Sequence, residues 1–154
     1  MQLLGFNYRM TDIQAALGLS QLKKLERFIA ERNASAAYYD RAFRGMAHCT
    51  VPSRGAGVRH AYHLYPLRID FERLKLDKAA FFAALKAKGI FCQVHYLPVY
   101  QHPYYRSMPG AVRQTCRNAE RFYAQEISLP IYPGLSASDR AYVVRAVKRN
   151  LRKP

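Results

Sequence analysis

Long apolar runs, closely spaced cysteines and acidic side chains are all scarce in this 154-residue sequence. No stretch approaches the roughly 20 uncharged apolar residues that a helix needs to cross a bilayer, and residues 1–10 contain no apolar run ending in a small-residue cleavage site. The three cysteines, Cys49, Cys92 and Cys116, form no CxxC pair, so we expect reduced thiols rather than a disulfide scaffold. These absences favour one soluble, cytoplasmic domain, and a hydrophobic content of 50% is sufficient for a core.

The shortage of acidic residues leaves ten Asp and Glu against 25 Lys and Arg, a net charge of +15. A field of this sign attracts polyanions, so nucleic acid, phosphorylated metabolites and an acidic companion domain are all candidate partners. Twelve tyrosines and eight phenylalanines could stack on bases, although many of them recur at the spacing of a buried core. A basic nucleic-acid-binding module is therefore one alternative function, and a steep loss of affinity for DNA or RNA with added salt would identify it.

The first predicted helix begins at Thr11, which forms a capping-box pattern with Gln14. Asp12 adds a negative charge at the positive end of the helix dipole. Apolar residues then recur every three or four positions, as on the buried face of an amphipathic helix. They are Ile13, Ala16, Leu17, Leu22, Leu25, Phe28 and Ile29. The pattern continues less cleanly to Gly45, which predicts either one very long helix or two helices joined near Asn33.

Two strands are predicted further along the chain. Residues 61–70 are rich in aromatic and branched side chains, and Pro66, which has no amide donor, places this strand at a sheet edge or at a bulge. Residues 90–97 alternate as a second strand, which Pro98 ends. On the first strand, one face is expected to carry His63, Tyr65, Leu67 and Ile69. On the second, Cys92, Val94 and Tyr96 are expected to oppose Gln93, His95 and Leu97.

Three more helices complete the predicted order. Asp77 caps a helix over residues 78–88, and Gly89 ends it. A helix over about 112–126 leads into an irregular, proline-rich segment, after which Ser138 caps the last helix. The expected buried residues are Phe81, Phe82 and Leu85 of the first of these helices and Tyr142, Val143, Ala146, Val147 and Leu151 of the last. The whole order predicts an α+β fold, in which a long N-terminal helix joins a small domain with a short, mainly antiparallel sheet.

Two pairs of potential metal ligands, His60 with His63 and Cys92 with His95, are each separated by two residues. Residues three positions apart on a strand point to opposite faces, so we expect neither pair to hold a zinc ion. Cys92 near a histidine could also be a catalytic thiol, but a cysteine in an alternating apolar run is typical of a small core residue. We therefore interpret these side chains as ordinary strand residues, some of which line a cleft.

The most informative segment of the sequence covers residues 5–18. It places an amide, a phenol and a guanidinium, those of Asn7, Tyr8 and Arg9, directly before the capped helix. Donors of this kind suit a phosphate group. From the residues alone, the segment could equally be a tight connection in which Tyr8 is packed and Arg9 is solvated.

The text Gly-Phe-Asn-Tyr-Arg-Met-Thr-Asp-Ile-Gln over residues 5–14 resembles the signature of the DegT/DnrJ/StrS sugar aminotransferases. The resemblance continues through the segments 63–66, 89–99 and 128–132, and it covers essentially the whole chain in family order. The sequence of residues 93–105 is similar to that of the branch of the family that works in pseudaminic acid synthesis.

This resemblance implies a fold type I, pyridoxal-phosphate-dependent transaminase that works as a homodimer and moves an amino group from glutamate to a UDP-4-keto-6-deoxy sugar. It implies an interface motif and connecting helix over residues 1–45 and a small α+β domain over residues 46–154. The large cofactor-binding domain and its catalytic lysine are expected outside this sequence, so that this chain alone is inactive. Lys23 and Lys24 are expected to be surface residues, and the apolar stripe of the first helix is expected to be exposed or to self-associate.

The resemblance also assigns site residues. Asn7 matches the asparagine that reaches across the dimer to the cofactor phosphate, and Tyr8 and Arg9 match its neighbours at that interface. The implied substrate-binding residues, which border the sugar-nucleotide cleft, are His95, Tyr96, His63 and Tyr65.

Overall fold

A computed structural model describes residues 5–6, 8–108 and 116–152 of the chain. The helices in these residues are α1 (Asp12–Leu22), α2 (Leu25–Phe43), α3 (Lys78–Lys86), α4 (Pro103–Arg106), α5 (Arg117–Gln125) and α6 (Ala137–Leu151). The strands are β1 (Cys49–Thr50), β2 (Tyr65–Ile69) and β3 (Glu126–Leu129), and a short 3-10 helix covers Val99–Gln101. The α+β class is confirmed. No helix in the described ranges has the length and the apolar character that crossing a membrane would require.

The capping box at the start of α1 is confirmed. The Thr11 hydroxyl accepts a hydrogen bond from the Gln14 amide at 3.4 Å, and the Gln14 side chain accepts one from the Thr11 amide at 3.0 Å. The predicted junction near Asn33 is wrong, because α1 ends at Leu22 and α2 begins at Leu25. Asn33 instead supports α2, since its side-chain amide donates to the carbonyl of Ile29 one turn earlier, at 2.9 Å.

Of the two N-terminal helices, only the carboxyl-terminal half of α2 buries its apolar residues. No residue of α1 is buried, and Ile13 is 83% exposed. The carboxyl-terminal half of α2 buries Ala36, Tyr39 and Phe43 in the same core as the sheet. The division of the chain at residue 45 stays a prediction for the whole protein, but packing is continuous across that position.

The three strands form an antiparallel sheet in the order β1-β2-β3. The predicted edge position of the strand that carries Pro66 is wrong for the strand as a whole, because β2 lies in the middle. A proline is nevertheless tolerated in β2, because β1 is short and pairs only with Arg68 and Ile69. Pro66 therefore has a neighbouring strand on one side only, where it faces Ser128 of β3.

The predicted second strand over residues 90–97 is wrong. The segment makes a single bridge, in which Gln93 pairs with Ser128 of β3. The next amide that could extend this ladder, that of His95, instead donates to the Glu126 carboxylate at 3.0 Å. A side chain thus takes the place of a main-chain partner, and the alternation does not become a strand.

Strand β3 occupies a region where the sequence predicted the end of a helix and an irregular segment. Each of its four residues is buried, and it pairs along its full length with β2. Residues 112–115 of the predicted helix over 112–126 lie outside the described residues. The remaining part of that helix is shorter than predicted, because α5 covers Arg117–Gln125. No residue separates α5 from β3.

The predicted cap of α3 is confirmed, because the Asp77 carboxylate accepts the Ala80 amide at 2.8 Å. Gly89 has a φ of 71°, a left-handed conformation that suits glycine at the end of a helix. Phe81 and Leu85 are buried as predicted, whereas Phe82 is only partly buried.

The predicted cap of α6 is wrong by two residues. Ser136, not Ser138, has the extended backbone of a cap, and its hydroxyl accepts the Asp139 amide at 3.1 Å. Tyr142, predicted to be buried, is exposed instead, because its hydroxyl donates to the carbonyl of Lys88 at the surface. The buried face of α6 consists of Val143, Val144, Ala146, Val147 and Asn150.

The serines at the start of α6 give a matched pair of substitutions. Ser136→Ala is expected to lower the free energy of unfolding by about 1 kcal/mol, because it removes the side-chain acceptor of an otherwise unpaired helix amide. Ser138→Ala is expected to change it by at most about 0.5 kcal/mol, as for other exposed positions. Urea denaturation followed by circular dichroism measures both values, and equal losses in the two variants would contradict the assignment of the cap.

Candidate functional site

The segment before α1 exposes two of the three predicted cofactor-binding side chains. Tyr8 is 88% exposed and Arg9 is also exposed, whereas Asn7 lies outside the described residues. The amino end of α1 is already capped by Thr11, and Asp12 places a negative charge in its first turn. A phosphate at this position would therefore be bound by side-chain donors rather than by the helix end. A phenol and a guanidinium are suitable donors for the phosphate of the implied cofactor.

The second part of the candidate site is a chain of hydrogen bonds that begins at a buried carboxylate. Glu126, the first residue of β3, is 0% exposed. Its Oε1 accepts the Ser128 hydroxyl at 2.5 Å, and its Oε2 accepts the His95 amide at 3.0 Å. The Ser128 oxygen lies 2.7 Å from Nδ1 of the half-buried His95 ring. The network therefore connects the protein interior to His95.

Tyr96 lies next to this network at the surface. Its ring is 73% exposed and meets the His95 ring edge-on, with 4.6 Å between ring centroids. The structure thus brings together two of the predicted substrate-binding residues, a half-buried imidazole and an exposed phenol. Such a pair can donate and accept hydrogen bonds with a polar ligand while offering it an aromatic face.

The other two predicted substrate-binding residues differ from this pair. His63 precedes β2 and is exposed. Tyr65 is fully buried, and its hydroxyl donates to the Asp40 carboxylate at 2.8 Å. Burial, followed by the hydrogen bond to Asp40 and then the Asp40 charge, raises the pKa of Tyr65 well above its usual range. Tyr65 therefore has a packing role in this chain and does not reach a surface.

Sequence reasoning did not identify Glu126 and Ser128. The available signal was the alternation of polar and apolar residues over 126–129, which is typical of a short strand. The prolines that follow at 130 and 133 favoured an irregular segment instead.

Cys92 lies beside this network but has the environment of a core residue. Burial, together with the negative charge of Glu126, raises the pKa of its thiol to about 12. The thiolate, which is the nucleophilic form, is therefore scarce at neutral pH. Burial also lowers the pKa of Lys78, and the charge of Glu126 opposes that shift.

Cys116 and Cys92 are expected to be alkylated at different rates, because Cys116 is exposed and Cys92 is partly buried. Iodoacetamide at about pH 8 should alkylate the exposed Cys116 first, while Cys92, whose thiol stays protonated at that pH, should react at least about tenfold more slowly. Mass spectrometry of digested samples over time measures the order. In urea, where burial is removed, the rates should converge. Equal rates for Cys92 and Cys116 in the folded chain would contradict the assignment.

The two pairs considered as zinc ligands do not assemble with further ligands. Among the described residues, no group of three or more His, Cys, Asp or Glu side chains is arranged to hold a metal ion. Nδ1 of His60 accepts the Tyr62 amide at 2.9 Å, so it is already engaged in a local turn.

A cavity of about 670 Å³ lies beside β1. Its lining includes Arg68, Arg73 and Arg121, but also Asp70 and Glu72. Opposite charges thus balance much of the basic lining, and none of the predicted site residues borders it.

Comparison with known proteins gives consistent matches. A sequence model of the DegT/DnrJ/EryC1/StrS aminotransferase family matches residues 1–148. The chain is 42% identical over 145 residues to an uncharacterised protein of Methanocaldococcus jannaschii, a match that covers 94% of this chain and 38% of the relative. It is 33% identical over 140 residues to the UDP-4-amino-4,6-dideoxy-N-acetyl-beta-L-altrosamine transaminase of Campylobacter jejuni, which covers 91% and 36%.

Solved structures agree with the sequence matches. The chain is similar to Helicobacter pylori PseC, described as an aminotransferase involved in the biosynthesis of pseudoaminic acid, with a TM-score of 0.86 at 32% identity. That match covers 97% of this chain and 40% of PseC. The chain thus spans about two fifths of the length of the proteins that it matches.

Proposed function

Because this chain belongs to the DegT/DnrJ/EryC1/StrS aminotransferase family, we propose that it is the carboxyl-terminal part of a pyridoxal-phosphate-dependent sugar transaminase. The whole enzyme transfers an amino group from glutamate to a UDP-4-keto-6-deoxy sugar and works as a homodimer. The observation that carries this proposal is the family match over residues 1–148, which includes the segment before α1. The names of the Campylobacter and Helicobacter relatives support a nucleotide sugar of the pseudaminic acid type as substrate.

In this proposal, two surfaces of the chain have different tasks. Asn7, Tyr8 and Arg9 bind the phosphate end of the cofactor through an amide, a phenol and a guanidinium. The exposure of Tyr8 and Arg9 supports this assignment, because their donors are free to meet a ligand. His95 and Tyr96 border the sugar-nucleotide cleft, where they orient the sugar by hydrogen bonds and an aromatic contact.

Bound pyridoxal phosphate supplies the electron sink that amino transfer requires. The lysine that binds it covalently belongs to polypeptide outside this chain. Lys23 and Lys24, which lie between α1 and α2, are exposed and have surface roles. The chain alone is accordingly inactive as a transaminase.

Two measurements test the proposal. Incubation of this chain with pyridoxal phosphate and borohydride should leave no stoichiometric, reduction-stable attachment to a lysine, as judged by intact mass. The coding sequence upstream of Met1 should carry, in frame, a lysine-bearing domain, and the joined protein should convert glutamate and a UDP-4-keto-6-deoxy sugar to 2-oxoglutarate and a UDP-amino sugar. Stoichiometric labelling of this chain, or transaminase activity without any added polypeptide, would contradict the proposal.

The net charge of +15 leaves nucleic acid binding as the second candidate. The family match favours the transaminase, because it accounts for the order of motifs along the chain and not for charge alone. In the proposed enzyme, the basic surface meets the phosphates of the substrate and of the cofactor, or an acidic companion domain.

A further inference from the structure

The hydrogen-bond chain from Glu126 determines where the proton of neutral His95 lies. A serine hydroxyl has one hydrogen to donate. That of Ser128 is directed at Oε1 of Glu126, at 2.5 Å. The other carboxylate oxygen accepts the His95 amide at 3.0 Å, so Glu126 acts as an acceptor at both of its oxygens.

Since the hydrogen of Ser128 is committed, its oxygen can only accept from His95. The 2.7 Å contact between that oxygen and Nδ1 is therefore an N–H···O bond from the ring to the serine. A neutral imidazole carries one hydrogen, so Nε2 has none and keeps its lone pair. Within residues 5–6, 8–108 and 116–152, no group forms a hydrogen bond with Nε2.

We propose that Ser128 and Glu126 are positioning residues that hold His95 in the Nδ1–H tautomer, so that Nε2 accepts a hydrogen bond from a hydroxyl group of the sugar substrate beside Tyr96. The identity of this ligand class rests on the proposed function, whereas the tautomer does not. Glu126 fixes both the ring, through Ser128, and the main chain, through the His95 amide. An Nε2–H tautomer would present a donor instead, so the hydrogen bond with a hydroxyl group would run in the opposite direction, from the ring to the hydroxyl oxygen.

His60 provides an internal reference, because its neutral ring is expected in the opposite tautomer to that of His95. Its Nδ1 accepts the Tyr62 amide at 2.9 Å, and a main-chain amide can only donate. Neutral His60 must therefore carry its hydrogen on Nε2. The same chain thus contains two histidines with opposite tautomers, one set by a main-chain donor and the other by a serine and a carboxylate.

Long-range ¹H–¹⁵N correlation spectra of the labelled 154-residue chain test the proposal. At about pH 8, above the ordinary histidine pKa of about 6.5, His95 should show a protonated Nδ1 and an unprotonated Nε2, and His60 should show the reverse. Because this measurement needs neither cofactor nor transaminase activity, it succeeds or fails independently of the proposed function.

Two variants separate positioning from general folding. Ser128→Ala removes the acceptor of the Nδ1 hydrogen, so the His95 signals should shift to a mixture of tautomers, while His60 stays unchanged. Ser128→Thr keeps a hydroxyl and should keep the Nδ1–H form. Matching backbone amide spectra verify that each variant is folded. An Nε2–H tautomer of His95 in the unaltered chain overturns the proposal even if a variant fails to fold, and an unchanged Nδ1–H form in folded Ser128→Ala also overturns it.

Discussion

Replacing Tyr39 with alanine is expected to lower the free energy of unfolding by about 3–5 kcal/mol, which is typical of a large aromatic removed from a core. The ring is 0% exposed and lies 5.0 Å, between centroids, from the ring of Tyr65. Its hydroxyl donates to the carbonyl of Pro130 at 2.9 Å, which connects α2 to the segment after β3. Since a domain of this size has a free energy of unfolding of about 5–15 kcal/mol, the variant should lose a large fraction of its stability. Urea denaturation measures the loss.

Two further substitutions divide this effect into its parts. Tyr39→Phe keeps the ring and removes only the hydroxyl, so it should cost about 1 kcal/mol. Tyr104→Ala removes the same side chain from a position that is 67% exposed and should change stability by at most about 0.5 kcal/mol. A loss for Tyr39→Ala no greater than that for Tyr104→Ala would mean that Tyr39 is not in the core.

Replacing Arg32 with alanine is expected to cost about 2–3 kcal/mol, because a charged donor would be removed from main-chain carbonyls that its guanidinium joins. Nη1 of Arg32 lies 3.0 Å from the carbonyl oxygen of Tyr62, 3.2 Å from that of His63 and 3.0 Å from that of Ile131. One side chain of α2 thus binds the segment before β2 to the segment after β3. The loss should be visible in both the urea midpoint and the thermal midpoint.

The control for Arg32 lies on the same helix. Arg27 forms an exposed ion pair with Glu31 at 2.9 Å, so Arg27→Ala should cost at most about 0.5 kcal/mol. Arg32→Lys keeps the charge but has no planar fork, and it should recover only part of the loss. Equal effects of Arg27→Ala and Arg32→Ala would show that charge, rather than the three carbonyl contacts, determines the contribution of Arg32.

The features that the sequence predicted well depend on neighbouring residues. The capping box of Thr11 and Gln14 and the cap at Asp77 each involve positions three residues apart, and Gly89 marks a local left-handed turn. The α+β class followed from the order of such local signals. The predicted cap of α6 was wrong by two residues because Ser136 and Ser138 both suit that role. Only the extended backbone at Ser136 distinguishes them.

The features that the sequence did not predict depend on contacts between distant residues. The alternation over 90–97 is typical of a strand, but the Glu126 carboxylate takes the amide of His95 from 31 positions away. Burial of β3 likewise depends on its pairing with β2. Of the candidate site, His95 and Tyr96 came from the family resemblance, whereas Ser128 and Glu126 became visible only through their hydrogen bonds.

The direct succession of α5 and β3 limits how this part of the chain can change length. Because Gln125 ends the helix and Glu126 begins the strand, no loop residue can absorb an insertion or a deletion. One residue added within α5 would turn the preceding helix by about 100° relative to β3. One residue added within β3 would exchange its two faces and separate Glu126 from Ser128. Evolutionary changes in length should therefore be found in the segments before α5 or after β3, not within them.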